Sequence, residues 1–232
     1  MHTNGTRARL HRPATIAGMT TAAPILPAFA DVLSAAARIA PHAHRTPVLR
    51  SQSLDDIAGC ALFFKCENLQ RVGAFKFRGA CNAIFSLDDA TAARGILTQS
   101  SGNHGAAVAL ASRLRGVSAT VVVPEGAPAV KLAAIAGYGA RIVRCAPTMA
   151  ARNTAAAAWV EQSGAHLVHP FDDAQVIAGQ GTVAMELLRS EAGLDALLAP
   201  VGGGGLLSGC ALAARALQPG IEVWGAEPTG AA

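Results

Sequence analysis

From residue 95 to residue 226 the sequence alternates between short, mostly β-branched runs and helical stretches of about ten residues. Gly95–Gln99, Ala119–Val123, Arg141–Cys145, His166–His169, Leu197–Val201 and Glu222–Ala226 read as strands. An Ala-rich stretch ending near Arg115, then Ala129–Ala136, Met149–Gln162, Gly179–Glu191 and Gly205–Leu217, read as the intervening helices. Parallel strands need a long crossover, usually a helix, so this rhythm constrains the chain to βαβ units. The earlier part is less regular. Apolar residues at Val32, Leu33, Ala36, Ala37 and Ile39 predict a helix over Phe29–Ile39, opening near Asp31 and ended by Pro41. Thr46–Leu49 and Ala61–Phe64 read as short strands around a polar turn at Ser53–Gly59, with a helix expected from about Phe77 to Phe85.

Two of the strand-to-helix junctions are unusual. Ser100-Ser-Gly-Asn-His-Gly105 combines hydroxyls, an amide and an imidazole with glycine at a helix start, where free N–H groups and the helix dipole favour an anion such as a carboxylate. Val201-Gly-Gly-Gly-Gly205 lets the backbone wrap closely around a phosphate through main-chain N–H groups. The Gly-Lys-Ser/Thr ending of a P-loop is missing, and no glycines stand at G-x-G-x-x-G spacing, so a monophosphate cofactor fits better than a nucleotide.

A third stretch, Gly73-Ala-Phe-Lys-Phe-Arg-Gly-Ala80, holds one of only three lysines, beside Lys65 and Lys131, against sixteen arginines. Lys76 lies between two phenylalanines without an acidic neighbour in sequence. Desolvation there disfavours the ammonium form, which is the condition for an amine able to form a Schiff base.

Composition excludes several classes. Hydrophobic residues make up 51% and charged ones 15%, which is a globular balance. No apolar run approaches the ~18 residues of a membrane span, and the net charge of +4 comes with no basic, aromatic-interleaved stripe. Neither a membrane nor nucleic acid is an expected partner. Five scattered cysteines without a C-x-x-C pair imply no zinc site and point to reduced thiols in the cytoplasm. Residues 1–25 read as a disordered leader, and Met19 is an alternative start.

Taken together, the Lys76 stretch, the Ser100–Gly105 turn and the glycine run resemble the fold-type-II pyridoxal-phosphate enzymes, in the serine/threonine dehydratase (ammonia-lyase) and serine racemase branch. The resemblance extends through Thr46-Pro-Val-Leu49, Val122-Val-Pro124, Gly137–Val143, His169-Pro-Phe-Asp-Asp173, Ile177–Thr182 and Ala226-Glu-Pro228, collinear from about Ala28 onward. It implies a two-domain α/β fold of the tryptophan synthase β type: 26–94 and 173–232 in a large domain, 95–172 in a small one. It implies that Lys76 carries pyridoxal 5'-phosphate, with Phe75 flanking the cofactor and Asn103 bonding its ring hydroxyl. Gly202, Gly203, Gly204, Gly205 and Leu206 would hold the phosphate. Ser100, Ser101, Asn103 and His104 would bind the substrate carboxylate, and Ser101 would act opposite Lys76 where racemisation occurs. Glu227 and the carbonyl of Ala231 match part of the family's divalent-cation site (Mg2+ or another ion), whose remaining carboxylate would fall past Ala232. A homodimer or higher homo-oligomer is implied for the full-length family fold.

The implied reaction is elimination from a β-hydroxy amino acid, L-threonine or L-serine, to a 2-oxo acid and ammonia. 3-Hydroxyaspartate ammonia-lyase and serine racemase are alternatives, and an inactive truncated remnant or a nucleotide-binding module are rivals of other classes. Two departures bear on the choice. Ala74 replaces the serine common before the Phe-Lys pair, as in hydroxyaspartate dehydratase-like members, and Arg152 matches a position able to meet a second substrate carboxylate. The family also continues well past Ala232, with a serine that pairs with the pyridine nitrogen, so the C-terminal part of the large domain is expected to be missing, leaving an unpaired sheet edge and exposed apolar surface.

Overall fold

The computed structural model describes residues 26–230. The expected leader and the Ala231 carbonyl lie outside the described residues. In chain order the elements are α1 (Phe29–Ile39), β1 (Val48–Leu49), α2 (Gln52–Ala58), β2 (Phe64–Lys65), α3 (Lys76–Phe85), α4 (Asp89–Ala93), β3 (Ile96–Gln99), α5 (Asn103–Arg115), β4 (Ala119–Pro124), α6 (Ala129–Gly137), β5 (Arg141–Cys145), α7 (Met149–Ser163), β6 (His166–Leu167), α8 (Ala174–Ser190), β7 (Ala196–Pro200), α9 (Gly205–Leu217) and β8 (Glu222–Ala226). Short 3-10 turns at Glu67–Leu69 and Arg71–Gly73 lead into α3.

The expected alternation forms a four-stranded parallel sheet in the order β5-β4-β3-β6. β4 is buried from Ala119 to Val123, as a parallel strand covered on both faces requires. On one face Ala106 and Ala109 of α5 and Leu132 and Ile135 of α6 pack on Val121 and Val123. On the other, Ala156 and Trp159 of α7 close over Leu97 and Val122. Strand order reverses between β3 and β6, so the loops leaving their C-terminal ends diverge there and open a crevice. Ligands of doubly wound sheets bind at such a switch point. The loop after β3 is the Ser100–Gly105 turn, and the segment after β6 is His169–Asp173.

A helical layer connects this sheet to the glycine run. α8 is squeezed between α3 and α9, and its glycines explain how. A Cβ on Gly179 would stand 2.7 Å from both the Arg78 carbonyl oxygen and the Gly79 Cα, and one on Gly181 would stand 2.8 Å from the Gly209 carbonyl oxygen. Both exceed normal packing limits, so α8 carries the Lys76 helix on one side and the glycine-run helix on the other. Val32, Ala35 and Ile39 of α1 supply one buried stripe beside it.

β7 and β8 form a parallel pair, Ala196–Pro200 against Glu222–Ala226. Leu197 and Ala199 face the core with α9 residues, whereas Leu198 is 68% and Trp224 58% exposed. That face is uncovered among the described residues, in line with the exposed apolar surface expected from sequence.

Two local expectations are corrected. The expected turn at Ser53–Gly59 is helix α2 (Gln52–Ala58), ended by Gly59 at φ +70°. None of its residues is buried, so no apolar stripe announces it. α8 begins five residues early, at Ala174, because Asp173 Oδ1 accepts from the N–H groups of Gln175 (2.8 Å) and Val176 (2.9 Å). β1 and β2 pair antiparallel, Val48 with Lys65, and so stand outside the parallel scheme.

Candidate active site

Lys76 is the first residue of α3. Its half-buried amine donates to the Pro170 carbonyl oxygen at 2.8 Å and lies 5.3 Å from the Phe75 ring centroid. Burial lowers its pKa below the usual lysine value, as expected from the sequence.

The backbone entering Lys76 is constrained. Val72 has φ +58° and Gly73 φ +71°; for a β-branched residue such as Val72 this costs on the order of 1–3 kcal/mol. Gln70, 3% exposed, holds the turn: its Oε1 accepts from the N–H groups of His44 and Arg71, both at 2.9 Å, and its Nε2 donates to the His44 carbonyl at 2.7 Å. Two residues past Lys76, the fully buried Arg78 donates to both oxygens of Glu67 at 2.8 Å and to Glu186 at 2.7 and 2.9 Å. Lys65 Nζ completes the cluster, 2.7 Å from Glu186. Two cations against two carboxylates thus tie the first turn of α3 to β2 and α8. The reading of the sequence overlooked this network. An arginine within an otherwise apolar Phe-Arg-Gly-Ala run was its signal, because a buried guanidinium needs acidic partners.

At the first crevice loop, Gly102 N donates to Ser100 Oγ at 3.2 Å and caps α5. Gly105 has a steric reason: a Cβ there would stand 2.2 Å from the Ser100 carbonyl oxygen. Ser100 and Ser101 are half-buried and Asn103 is exposed. His104 is only 2% exposed, with Nε2 3.3 Å from the Val168 carbonyl oxygen. A carbonyl only accepts, so Nε2 carries the proton and Nδ1, without a partner among the described residues, is left as an acceptor. Burial, aided by the Lys76 charge, pushes its pKa down to about 3, keeping the ring neutral. Toward an anion His104 therefore has its backbone N–H to offer rather than its imidazole.

The glycine run divides into two kinds of position. A Cβ on Gly202 or Gly204 would meet nothing within 4 Å, and Gly204, at φ +83°, caps α9. A Cβ on Gly203 would fall 2.2 Å from the ring of Phe171, and one on Gly205 3.0 Å from the Phe171 carbonyl oxygen. Leu206 is buried in the first turn of α9. The segment after β6 is thus common to all three motifs: Val168 meets His104, Pro170 meets Lys76, and Phe171 meets Gly203 and Gly205.

The remaining sequence-predicted residues are less integrated. Arg152 sits in the first turn of α7, half-buried, its Nε buried without a partner and its guanidinium in no ion pair among the described residues. Glu227 is exposed beyond β8, and no group of three metal-ligating side chains forms among the described residues. The thiols of Cys81 and Cys210, pushed up to about 12 by burial, are not nucleophiles. A cavity of about 250 Å³ between α1 and α8 is lined by Arg45, Glu186 and Arg189 and lies apart from these motifs.

The arrangement fits pyridoxal phosphate. A desolvated amine is available for covalent attachment, and open backbone at Gly202 and Gly204 precedes a helix N-terminus suited to a phosphate dianion. The sequence model of the family described as pyridoxal-phosphate dependent enzyme matches residues 39–232. The chain belongs to that family. Serine racemase from Dictyostelium discoideum is 53% identical over 201 residues, 87% of this chain and 62% of that protein. L-threo-3-hydroxyaspartate ammonia-lyase from Saccharomyces cerevisiae is 51% identical over 204 residues, 88% of this chain and 63% of that protein. Among solved structures, that of the Dictyostelium racemase superposes with a TM-score of 0.86, over 88% of this chain and 66% of that one. The T.th. threonine deaminase superposes at 0.82 with 47% identity, over 87% of this chain and 65% of that one. The chain therefore has the fold-type-II α/β architecture, and it spans about 62% of the length of the first of these relatives.

Proposed function

We propose that the chain is part of a pyridoxal-phosphate-dependent ammonia-lyase that converts a β-hydroxy amino acid, L-threonine or L-serine first, into a 2-oxo acid and ammonia. The observation that carries this reading is the Lys76 amine, desolvated and bonded, among the described residues, to a single backbone carbonyl and to no carboxylate. Such an amine can hold the cofactor and, once released, take the Cα proton of the substrate on Nζ. Bound pyridoxal phosphate supplies an electron sink for the charge left when the Cα–H bond breaks.

Within this reading the chain binds at three places. N–H groups of Gly202 to Leu206 receive the phosphate. Phe75 flanks the cofactor ring, and Asn103 meets its hydroxyl. The α5 N-terminus, through Ser100, Ser101, Asn103 and the His104 N–H, orients the substrate carboxylate. The crevice lies between a small domain, 95–172, and the large-domain parts 26–94 and 173–232. A homodimer or higher oligomer, a divalent cation at Glu227 and a cytoplasmic location belong to the same proposal.

A second reading, 3-hydroxyaspartate as substrate, is favoured by Arg152, whose buried Nε is unpaired among the described residues, so that its guanidinium could meet a second carboxylate. Racemisation would use Ser101 as the proton donor on the face opposite Lys76. The test follows 2-oxo acid release and change of configuration together, with L-threonine, L-serine and 3-hydroxyaspartate, in wild type and Ser101→Ala. Elimination from an L-substrate is expected to survive the substitution while racemisation is lost. Equal loss of both would contradict the two-face assignment, and no 2-oxo acid from any substrate would contradict the lyase reading.

A further inference from the structure

Two of the four glycines at 202–205 have a reason that phosphate binding does not supply. A side chain at 203 would collide with the Phe171 ring, 2.2 Å from its Cδ1 and Cγ, and one at 205 would stand 3.1 Å from the Phe171 Cα and Cβ. Phe171 is itself 37% exposed, so its ring lies on glycine backbone at the crevice mouth and is not an ordinary core residue. Its position is held from behind. His169 Nδ1 accepts from Asp172 N at 2.8 Å and from Phe171 N at 3.4 Å, and the two rings meet edge to face with centroids 4.6 Å apart. The adjoining Pro170 carbonyl receives the Lys76 amine.

Glycine runs are the most mobile backbone a chain can have, and order in them must come from a neighbour. We propose that Phe171 is a positioning residue for phosphate recognition: its ring, laid on Gly203, with its backbone and Cβ against Gly205, holds the N–H groups of the run in the arrangement that receives the cofactor phosphate. Gly202 and Gly204 remain open for the ligand while Gly203 and Gly205 are filled from the other side. The inference rests on the cofactor reading above and adds a residue that touches the phosphate-binding backbone without touching phosphate. A pre-ordered loop binds more tightly because less freedom is lost at the moment of binding.

The experiment compares two probes on the full chain, pyridoxal phosphate and pyridoxal, which lacks the phosphate. Binding is titrated by absorbance for wild type, Phe171→Ala and Phe171→Leu, with thermal unfolding of each variant measured alongside. The expected result is that Phe171→Ala weakens pyridoxal phosphate about tenfold and leaves pyridoxal unchanged, with Phe171→Leu shifted the same way by less. If Phe171→Ala does not fold, the Phe171→Leu comparison decides alone. Equal affinity for pyridoxal phosphate in wild type and the folded variant, or equal weakening of both probes, would overturn the assignment while leaving the cofactor reading in place. Wild type that binds neither probe would overturn both.

Discussion

The Lys76 amine donates to the carbonyl oxygen of Pro170 at 2.8 Å, across 94 residues of sequence. Pro170 lies in the segment that leaves β6, on the far side of the switch point from the Ser100–Gly105 turn. With the packing of Phe77, Ala80 and Ile84 of α3 against Ala107, Val108 and Ala111 of α5, this contact joins the lysine helix to the crevice of the parallel sheet. α8, wedged between α3 and α9 at glycine contacts, brings the glycine run to the same place.

That wedge separates two classes of glycine. Gly179→Ala should destabilise the fold by about 1–3 kcal/mol, as overpacking does, because its methyl group would meet Gly79 Cα and the Arg78 carbonyl at 2.7 Å. Gly202→Ala has open space and no positive φ, so its stability should stay within about 0.5 kcal/mol of wild type, while affinity for pyridoxal phosphate falls. Urea unfolding and cofactor titration of both variants check this. A stable Gly179→Ala would mean that α3 and α8 are free to move apart.

The buried ion network predicts an acid limb. Burial pushes the Glu186 carboxyl up, but hydrogen bonds and charge from Arg78, then Lys65, outweigh that and hold it below its ordinary value. A group with a depressed pKa contributes stability that is present above its unfolded pKa and lost as pH falls through its folded one. Wild type should therefore lose stability on acidification below the ordinary glutamate range. Arg78→Met should cost about 3–5 kcal/mol at neutral pH, the usual result of removing one partner from a buried pair, and its pH dependence should flatten. Urea unfolding at pH 7 and pH 3 is the check, and parallel losses in both proteins would rule the linkage out.

For Arg152, the expectation concerns substrates. Arg152→Ala should reduce kcat/KM for 3-hydroxyaspartate by about tenfold to a hundredfold, the 1.5–3 kcal/mol of a hydrogen bond to a charged group, and leave L-threonine turnover near wild type. Equal loss on the two would make the residue structural.

Much of this fold was legible because its elements repeat a simple physical pattern. α1, β5, α9 and β8 stand at their expected bounds, the first three marked by an apolar period or a β-branched run with clear ends. α2 was hidden because nothing in it is buried, and the α8 start because Asp173 acts as a cap within a stretch recognised for its motif. The glycine run was noticed for its flexibility, yet half of its reason lies in Phe171, well upstream in β6's exit segment. No local pattern reveals that contact. Arg78 was equally opaque, since Glu67 and Glu186 converge on it only when β2 and α8 are in place.

The measurement closest to the central claim is the absorbance spectrum of the purified chain with pyridoxal phosphate, in wild type and in Lys76→Ala, before and after borohydride reduction. The account predicts a lysine-bound cofactor band in wild type, trapped by reduction on the peptide containing Lys76, and no such band in Lys76→Ala. Trapping on Lys65 or Lys131 instead, or an unchanged band in Lys76→Ala, would contradict it.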